Sequence, residues 1–414
     1  MHLTGLPDRF AGEMGHLLGP EFPDAIGVAV SGGGDSMALL HLAAGWARIF
    51  GVSMSVVTVD HGLRDASASE AAMVADECAT LGVAHDTLQW KWDGNGNLQD
   101  AARNGRRALI GAWAQGRPVL LGHTRDDQAE TLLMRLARGS GVDGLAAMAG
   151  LRGAGGWQIV RPMLHLGRDE LRHYLKVLNI PFVDDPTNDD ATYARVRMRH
   201  LIGQEGLDTV RLANTAQAMA RARVALAARA HDAATAMMRP TTQGCIALNR
   251  DALTRIEAET QLRILAGAIG AVAGAVYRPR LSALTQTLDR VLAGGTTTLQ
   301  GAILVPKGAH LFIAREYQAV ADHQVRAHSG DLWDGRWMPV GQGLTGAVLR
   351  ALGADGLQQI TVRPEDAAPR ACLLGLPSIW AGDRLIACSA LDFGTDAGVK
   401  DQIRGSFPQS LLVH

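Results

Sequence analysis

The stretch AIGVAV at Ala25–Val30, followed by Ser31-Gly32-Gly33-Gly34-Asp35-Ser36, decides the fold class. An apolar run of strand length meets a glycine-rich turn, and Ser36–Phe50 continues with helical spacing. Glycines let backbone N–H groups approach phosphate oxygens, and the N-terminus of the following helix adds partial positive charge. Ser31 and Ser36 offer hydroxyl donors. No Gly-Lys-Ser/Thr follows, so the loop is not a Walker A loop. Asp35 is the informative residue, because a carboxylate beside phosphates is repulsive unless a divalent cation bridges them. The alternative is a plain glycine turn whose aspartate caps a helix.

Outward from this loop, strand-like and helix-like segments alternate up to about residue 200. Strands are expected at Ser53–Asp60, Ala84–Trp90, Pro118–Gly122 and Gln158–Pro162. Helices are expected at Ser67–Leu81, Leu98–Gln115, Asp126–Arg138 and Arg168–Leu178. That alternation implies right-handed crossovers and a parallel sheet covered on both faces, with ligands bound at the carboxyl ends of its strands. The polar clusters fall there. After about residue 205 the texture becomes Ala-, Leu- and Arg-rich with helical spacing, and Gly294–Arg315 reads as a short strand-like patch. The expected organisation is an α/β catalytic domain over 1–208, a mainly helical middle domain over 209–322 and a small α/β domain over 330–414.

Asp127 and Glu130 lie three apart on the expected helix 126–138 and share a face, with Leu132, Leu133 and Leu136 on the other side to pack. Two carboxylates on one face suit recognition of an ammonium group and later acceptance of its proton. Asp126 either joins them or simply favours the positive helix end. His61 and His123 each follow a strand without a partner at metal-ligand spacing, so each either touches a ligand or satisfies a loop carbonyl. Arg138 either meets phosphate or pairs with an acid.

These motifs resemble the PP-loop ATP pyrophosphatase superfamily, whose members cleave ATP between the α- and β-phosphates. Within it they resemble the tRNA(Ile)-lysidine synthetase family. The resemblance is carried by the 31–36 loop, by Val59-Asp60-His61-Gly62-Leu63-Arg64, and by Gly122–Thr131. It is carried further by Arg138-Gly139-Ser140-Gly141, by Arg161-Pro162, and by Asp185-Pro186-Thr187-Asn188 with Tyr193, Arg195 and Arg197. It implies ATP at Ser31, Gly32, Gly33, Gly34, Asp35 and Ser36, with Asp60, His61 and His123 beside the nucleotide. Asp35 would hold Mg²⁺. Asp127 and Glu130 would bind and deprotonate L-lysine, with Arg138 among the catalytic groups and Arg195 and Arg197 near the substrate. The implied reaction joins lysine to C2 of the wobble cytidine in the CAU anticodon of tRNA(Ile), through an adenylated cytidine, releasing AMP and diphosphate.

Charge and cysteine usage bear on the rivals. Forty basic against forty-one acidic residues leave a formal charge of −1, so no global cationic field announces nucleic acid. Residues 195–229 nevertheless hold seven arginines (Arg195, Arg197, Arg199, Arg211, Arg221, Arg223, Arg229) against Glu205 and Asp208. That stripe fits phosphate-backbone contact, or equally a solvated helical face. Tyr277-Arg278-Pro279-Arg280 offers an aromatic for base stacking, or a plain turn. An RNA-thiolating PP-loop enzyme would rely on catalytic cysteines. Here Cys78 falls mid-helix, and Cys245, Cys372 and Cys388 lie in the later domains. A small-molecule amide synthetase would not need the arginine-rich middle, and a non-catalytic RNA-binding protein would not need the acids. Four dispersed cysteines, no evident signal peptide and no apolar run of spanning length point to a cytoplasmic protein without a membrane partner.

Overall fold

The computed structural model describes residues 5–62, 66–92, 94, 98–184, 192–274, 277–342, 344–394, 396–402 and 406–412. Leu63, Arg64 and the Asp185–Asn188 motif lie outside them. The chain divides into two compact units, Met1–Arg223 and Val224–His414.

The first unit opens with helix α1 (Gly5–Leu18), which buries Leu6, Phe10 and Met14 at four-residue spacing. It continues with β1 (Ala25–Ala29), α2 (Gly34–Phe50), β2 (Ser53–Asp60), α3 (Ala66–Leu81), β3 (Ala84–Gln89) and α4 (Leu98–Ala114). Then come β4 (Pro118–Leu121), α5 (Arg125–Leu136), α6 (Val142–Leu145), β5 (Leu151–Gly153), β6 (Gln158–Val160), α7 (Arg168–Val177) and α8 (Ala194–Gln204). The helix α9 (Thr209–Met237) runs through the boundary between the units.

The sheet order is β3-β2-β1-β4-β6-β5. All neighbours are parallel except β5, which pairs antiparallel with β6 at the edge. All three β5 residues are exposed, so no apolar alternation marks the strand in the sequence. Ile26 and Val28 of β1, Val56 of β2 and Leu120 of β4 pack with Met37, Leu39 and Leu40 of α2 in one core. Val57, Ile110, Val119, Trp157 and Ile159 build a second cluster. Because the order runs outward from β1 in both directions, the crevice at the carboxyl ends of β1 and β4 is the switch point where ligands of such sheets bind.

The second unit begins with a five-stranded antiparallel sheet, β7-β8-β11-β10-β9. Its strands are β7 (Met238–Arg239), β8 (Ile246–Asn249), β9 (Thr297–Leu299), β10 (Ala302–Lys307) and β11 (His310–Arg315). It packs with α11 (Ala258–Ala273) and α12 (Leu281–Leu292), and the short α10 (Arg250–Thr254) follows β8. The strand β8 interrupts a region whose composition suggests helix alone, because four residues give too little pattern to stand out. A four-stranded sheet of β12 (Gln324–Arg326), β14 (Val348–Ala351), β15 (Pro377–Ala381) and β16 (Arg384–Ala387) follows. A ribbon of β13 (Trp337–Gly341) and β17 (Ala397–Asp401) completes the strands. Ala314 of β11 shares one buried cluster with Leu352, Leu357, Cys372 and Trp380, so residues before and after 330 form a common core.

Candidate active site

The phosphate loop is built by backbone geometry. Gly32 has φ +84, a conformation that side-chain-bearing residues rarely adopt. Gly33 is the N-cap of α2, and no side chain caps the helix, so its first N–H groups face the crevice unclaimed by a cap. Asp35 therefore does not act as a helix cap. The Ser36 hydroxyl donates to the Gly33 carbonyl at 2.8 Å and accepts from Ser31 N–H at 3.1 Å, closing the loop on itself. Val183 N–H donates to the Gly32 carbonyl at 2.9 Å and braces the turn from outside.

On the next strand, β4 leads through Gly122 and His123 into α5. A Cβ at Gly122 would stand 3.1 Å from Ser36 Cα and 3.2 Å from the Asp35 carbonyl oxygen, so the two strand ends touch through backbone. Thr124 and Asp127 form a capping box. Both the N–H and the hydroxyl of Thr124 donate to Asp127 Oδ2, at 2.8 and 3.0 Å. The other oxygen, Oδ1, is left for Arg168, whose Nη2 lies 3.4 Å away. Asp127 is thus half scaffold and half site. Asp127 and Glu130 are buried on one side of α5 and Leu132 on the other, whereas Leu136, expected to pack, is 56% exposed where the helix ends.

Arg168 is the residue that sequence reasoning passed over, naming it only as a helix start. Its Nε donates to Asp35 Oδ2 at 3.0 Å, and its Nη1 donates to Glu130 Oε1 at 3.3 Å. One guanidinium therefore contacts three carboxylates, one from α2 and two from α5. Asp126 holds its backbone, since Oδ2 accepts the Arg168 N–H at 2.8 Å. Arg199 of α8 donates to the same Glu130 Oε1 at 3.1 Å. Glu130 is almost fully buried, yet its Oε2 has no hydrogen-bond partner.

Electrostatics sort these acids. Burial would raise the Asp127 pKa, but Arg168, His123, the Thr124 N–H and Arg195 together hold it below the ordinary carboxylate value. Asp35 moves the other way. Burial pushes its pKa up, Arg168 offsets part of this, and Asp127 and Asp126 add to the rise. Burial pushes His123 down to about 4, with Arg161, Arg195 and Arg106 opposing its protonation and Asp127 favouring it. The imidazole is neutral at pH 7, and its Nδ1 is buried without a hydrogen-bond partner.

The other expected site residues are placed as follows. Asp60, at the end of β2, accepts from Gly62 N–H (2.9 Å), the Ser67 hydroxyl (2.6 Å) and Gln89 Nε2 (3.0 Å), so both its oxygens serve the loop. These bonds hold its pKa below the usual range. His61 follows it, partly buried. Arg138 is exposed beyond the end of α5, where its N–H donates to the Arg135 carbonyl. Arg195 acts on both His123 and Asp127, and exposed Arg197 donates to the Thr192 carbonyl at 2.7 Å. Among the described residues no group of three or more His, Cys, Asp or Glu is arranged to hold a metal ion. Asp35 fits Mg²⁺ in another way, as one hard carboxylate donor beside a phosphate loop, since that ion usually keeps waters and substrate phosphates as its other ligands.

A family model described as a PP-loop domain matches residues 7–206. The tRNA(Ile)-lysidine synthase of Ruegeria pomeroyi is 42% identical over 372 residues, covering 88% of this chain and 88% of its own length. The chain belongs to the tRNA(Ile)-lysidine synthase family. That of Methylobacterium nodulans is 40% identical over 325 residues, covering 75% of this chain and 95% of the relative. Among solved structures, a U34-tRNA thiolase from Methanococcus maripaludis aligns with a TM-score of 0.44 at 14% identity, over 52% of this chain and 78% of that one. As a lysidine synthase family member the protein is an enzyme, a ligase that forms a C–N bond, with an ATP-binding PP-loop domain. The resemblance read from the sequence motifs is borne out. No helix among the described residues is long and apolar enough to cross a membrane.

Proposed function

We propose that the enzyme ligates L-lysine to C2 of the wobble cytidine in the CAU anticodon of tRNA(Ile), using ATP. The observation that carries this reading is the meeting of Asp35 with Asp127 and Glu130 across the β1–β4 crevice through Arg168. A phosphate loop and an ammonium-binding pair of acids then face one reacting atom. In the first step the cytidine C2 carbonyl oxygen attacks the α-phosphate and diphosphate leaves. In the second the lysine ε-amine attacks C2 and AMP leaves. Adenylation is needed because a pyrimidine carbonyl oxygen is a poor leaving group.

The glycine loop and the open N-terminus of α2 bind the phosphates. Asp35 would hold Mg²⁺, which when bound would supply charge neutralisation for the leaving diphosphate. Asp127, with its lowered pKa and Oδ2 committed to Thr124, orients the lysine ammonium as a permanent anion. Glu130 offers the open oxygen for the lysine proton, because its buried Oε2 has no hydrogen-bond partner. His61, His123 and Asp60 border the nucleotide, and Arg138, Arg195 and Arg197 neutralise phosphate charge around it.

Residues 209–322 and 330–414 serve tRNA selection, with Tyr277, 81% exposed, offered to a base. The enzyme acts in the cytoplasm. A thiolating role is disfavoured by the thiols themselves. Burial pushes Cys78 up to about 11 and Cys372 and Cys388 up to about 12, and raises Cys245 as well, so none is a thiolate at neutral pH.

The decisive assay supplies ATP, labelled lysine and a CAU-anticodon tRNA(Ile) transcript. The expected result is label in the RNA with one AMP and one diphosphate formed per lysine. Incorporation of labelled sulfur in place of lysine would overturn it.

A further inference from the structure

Arg168 occupies the position where a substrate cation is expected, and its three contacts are unequal. The Nε bond to Asp35 is 3.0 Å, whereas Nη1 and Nη2 stand 3.3 and 3.4 Å from Glu130 and Asp127. Charge-assisted N–H···O bonds are normally about 2.7–2.9 Å, so the two terminal nitrogens are loosely held and the inner one less so. The backbone cannot follow a moving side chain, because Asp126 Oδ2 grips the Arg168 N–H at 2.8 Å in the first turn of α7. What can turn is the guanidinium end, beside the Asp35 phosphate loop.

Glu130 is prepared for such a change. Arg199 stays on its Oε1 at 3.1 Å, so the buried carboxylate keeps a counter-charge if Arg168 leaves. Its Oε2, buried and without a partner, lacks a donor that an ammonium group could supply.

We propose that Arg168 is a positioning residue that couples lysine binding to nucleotide binding by cation exchange. Without nucleotide the guanidinium neutralises Asp127 and Glu130, and an incoming ammonium group must compete with it. With nucleotide present the terminal nitrogens turn to phosphate oxygens, which suit a guanidinium fork, and the acids are released to lysine. No bond is made or broken, and each anion keeps a cation. This rests on the reading of Asp127 and Glu130 as the lysine site. Coupling of this kind is reciprocal, so lysine must tighten the nucleotide by the same factor.

The test is calorimetric titration of the full chain with L-lysine, with and without Mg²⁺ and the non-cleavable α,β-methylene analogue of ATP. The analogue is also titrated with and without lysine. Wild-type protein is expected to bind each ligand about 5- to 150-fold tighter in the presence of the other. In Arg168→Gln that ratio should fall close to one, and Arg168→Lys should retain an intermediate ratio because it keeps the charge without the fork. A merely structural arginine would lower both affinities and leave the ratio unchanged.

A wild-type ratio near one, or a full ratio in Arg168→Gln, overturns the proposal. If Arg168→Gln does not melt cooperatively, Arg168→Lys decides alone, and an undiminished ratio there is equally fatal. Failure of lysine to bind wild-type protein under either condition is a different result, since it removes the lysine site itself.

Discussion

Arg168 Nε and Asp35 Oδ2 are 3.0 Å apart in space and 133 residues apart in sequence. This ion pair ties the phosphate loop after the first strand to the helix after the last strand of the first-unit sheet. It also bears on the electrostatics of the Asp35 carboxyl. Burial, the largest influence, pushes the Asp35 carboxyl pKa up, and Arg168 opposes that rise.

Asp35→Asn keeps the shape of the loop and removes that charge. AMP formation should fall below detection, while tRNA affinity changes by less than about twofold, because the phosphate loop is not offered to RNA. Nitrocellulose retention of labelled tRNA and a diphosphate-release assay check the two arms. Retained turnover in this variant would exclude any metal-holding role for Asp35.

Gly122→Ala tests the contact between the two strand-end loops. The new Cβ would meet three backbone atoms, at 3.1 Å from Ser36 Cα and 3.2 Å from both the Asp35 carbonyl oxygen and the Ser36 nitrogen. Backbone cannot swing aside as a flexible side chain can, so the start of α2 must shift by a few tenths of an ångström. The expected consequence is a rise in KM for ATP of about tenfold, a cost of about 1.4 kcal/mol. The melting temperature should drop only modestly. An unchanged KM for ATP would show that the two loops do not form one nucleotide site.

His123 makes stability pH-dependent in a defined window. Its folded pKa of about 4 lies below the ordinary 6.5, so between these values the unfolded chain binds a proton that the folded chain refuses. This contribution is fully present above about pH 6.5 and lost as the pH falls toward 4, amounting in full to about 3 kcal/mol. Urea melts of wild type and His123→Asn across pH 4–7 measure it. The difference in unfolding free energy between the two proteins should shrink as the pH falls, and a pH-independent difference would show that the imidazole does not titrate this way.

Tyr277 is 81% exposed, three residues beyond the C-cap of α11 at Gly274. Loss of one base–aromatic stack costs about 1–3 kcal/mol, so Tyr277→Ala should weaken tRNA binding roughly 5- to 150-fold. The ATP affinity of the same variant should be untouched. Gel-shift titration at a fixed salt concentration is the check, and equal affinity for the variant would assign Tyr277 to an ordinary turn.

The sequence by itself determined the parallel strand–helix core of the first unit and the names of its acids, but not the edge strand β5. Strand, glycine loop and helix follow one another within 25–50, and the local patterns around Asp127 and Glu130 are legible because helical spacing needs only near neighbours. The four-residue spacing of Leu6, Phe10 and Met14 likewise marks α1 as an amphipathic helix. Tertiary structure alone decided what those acids do to one another. Arg168 carries no motif that sets it apart from 35 other arginines in this lysine-poor chain, and only the packing of α7 against α2 brings it onto Asp35, Asp127 and Glu130. The same holds for Asp60, whose Oδ2 accepts from Gln89 on β3, whereas the Thr124–Asp127 capping box is a local pattern. The physical reason is common to Arg168 and Asp60. A carboxylate's partners and its pKa are set by distances of a few ångströms between loops far apart in the chain, and no local pattern encodes them.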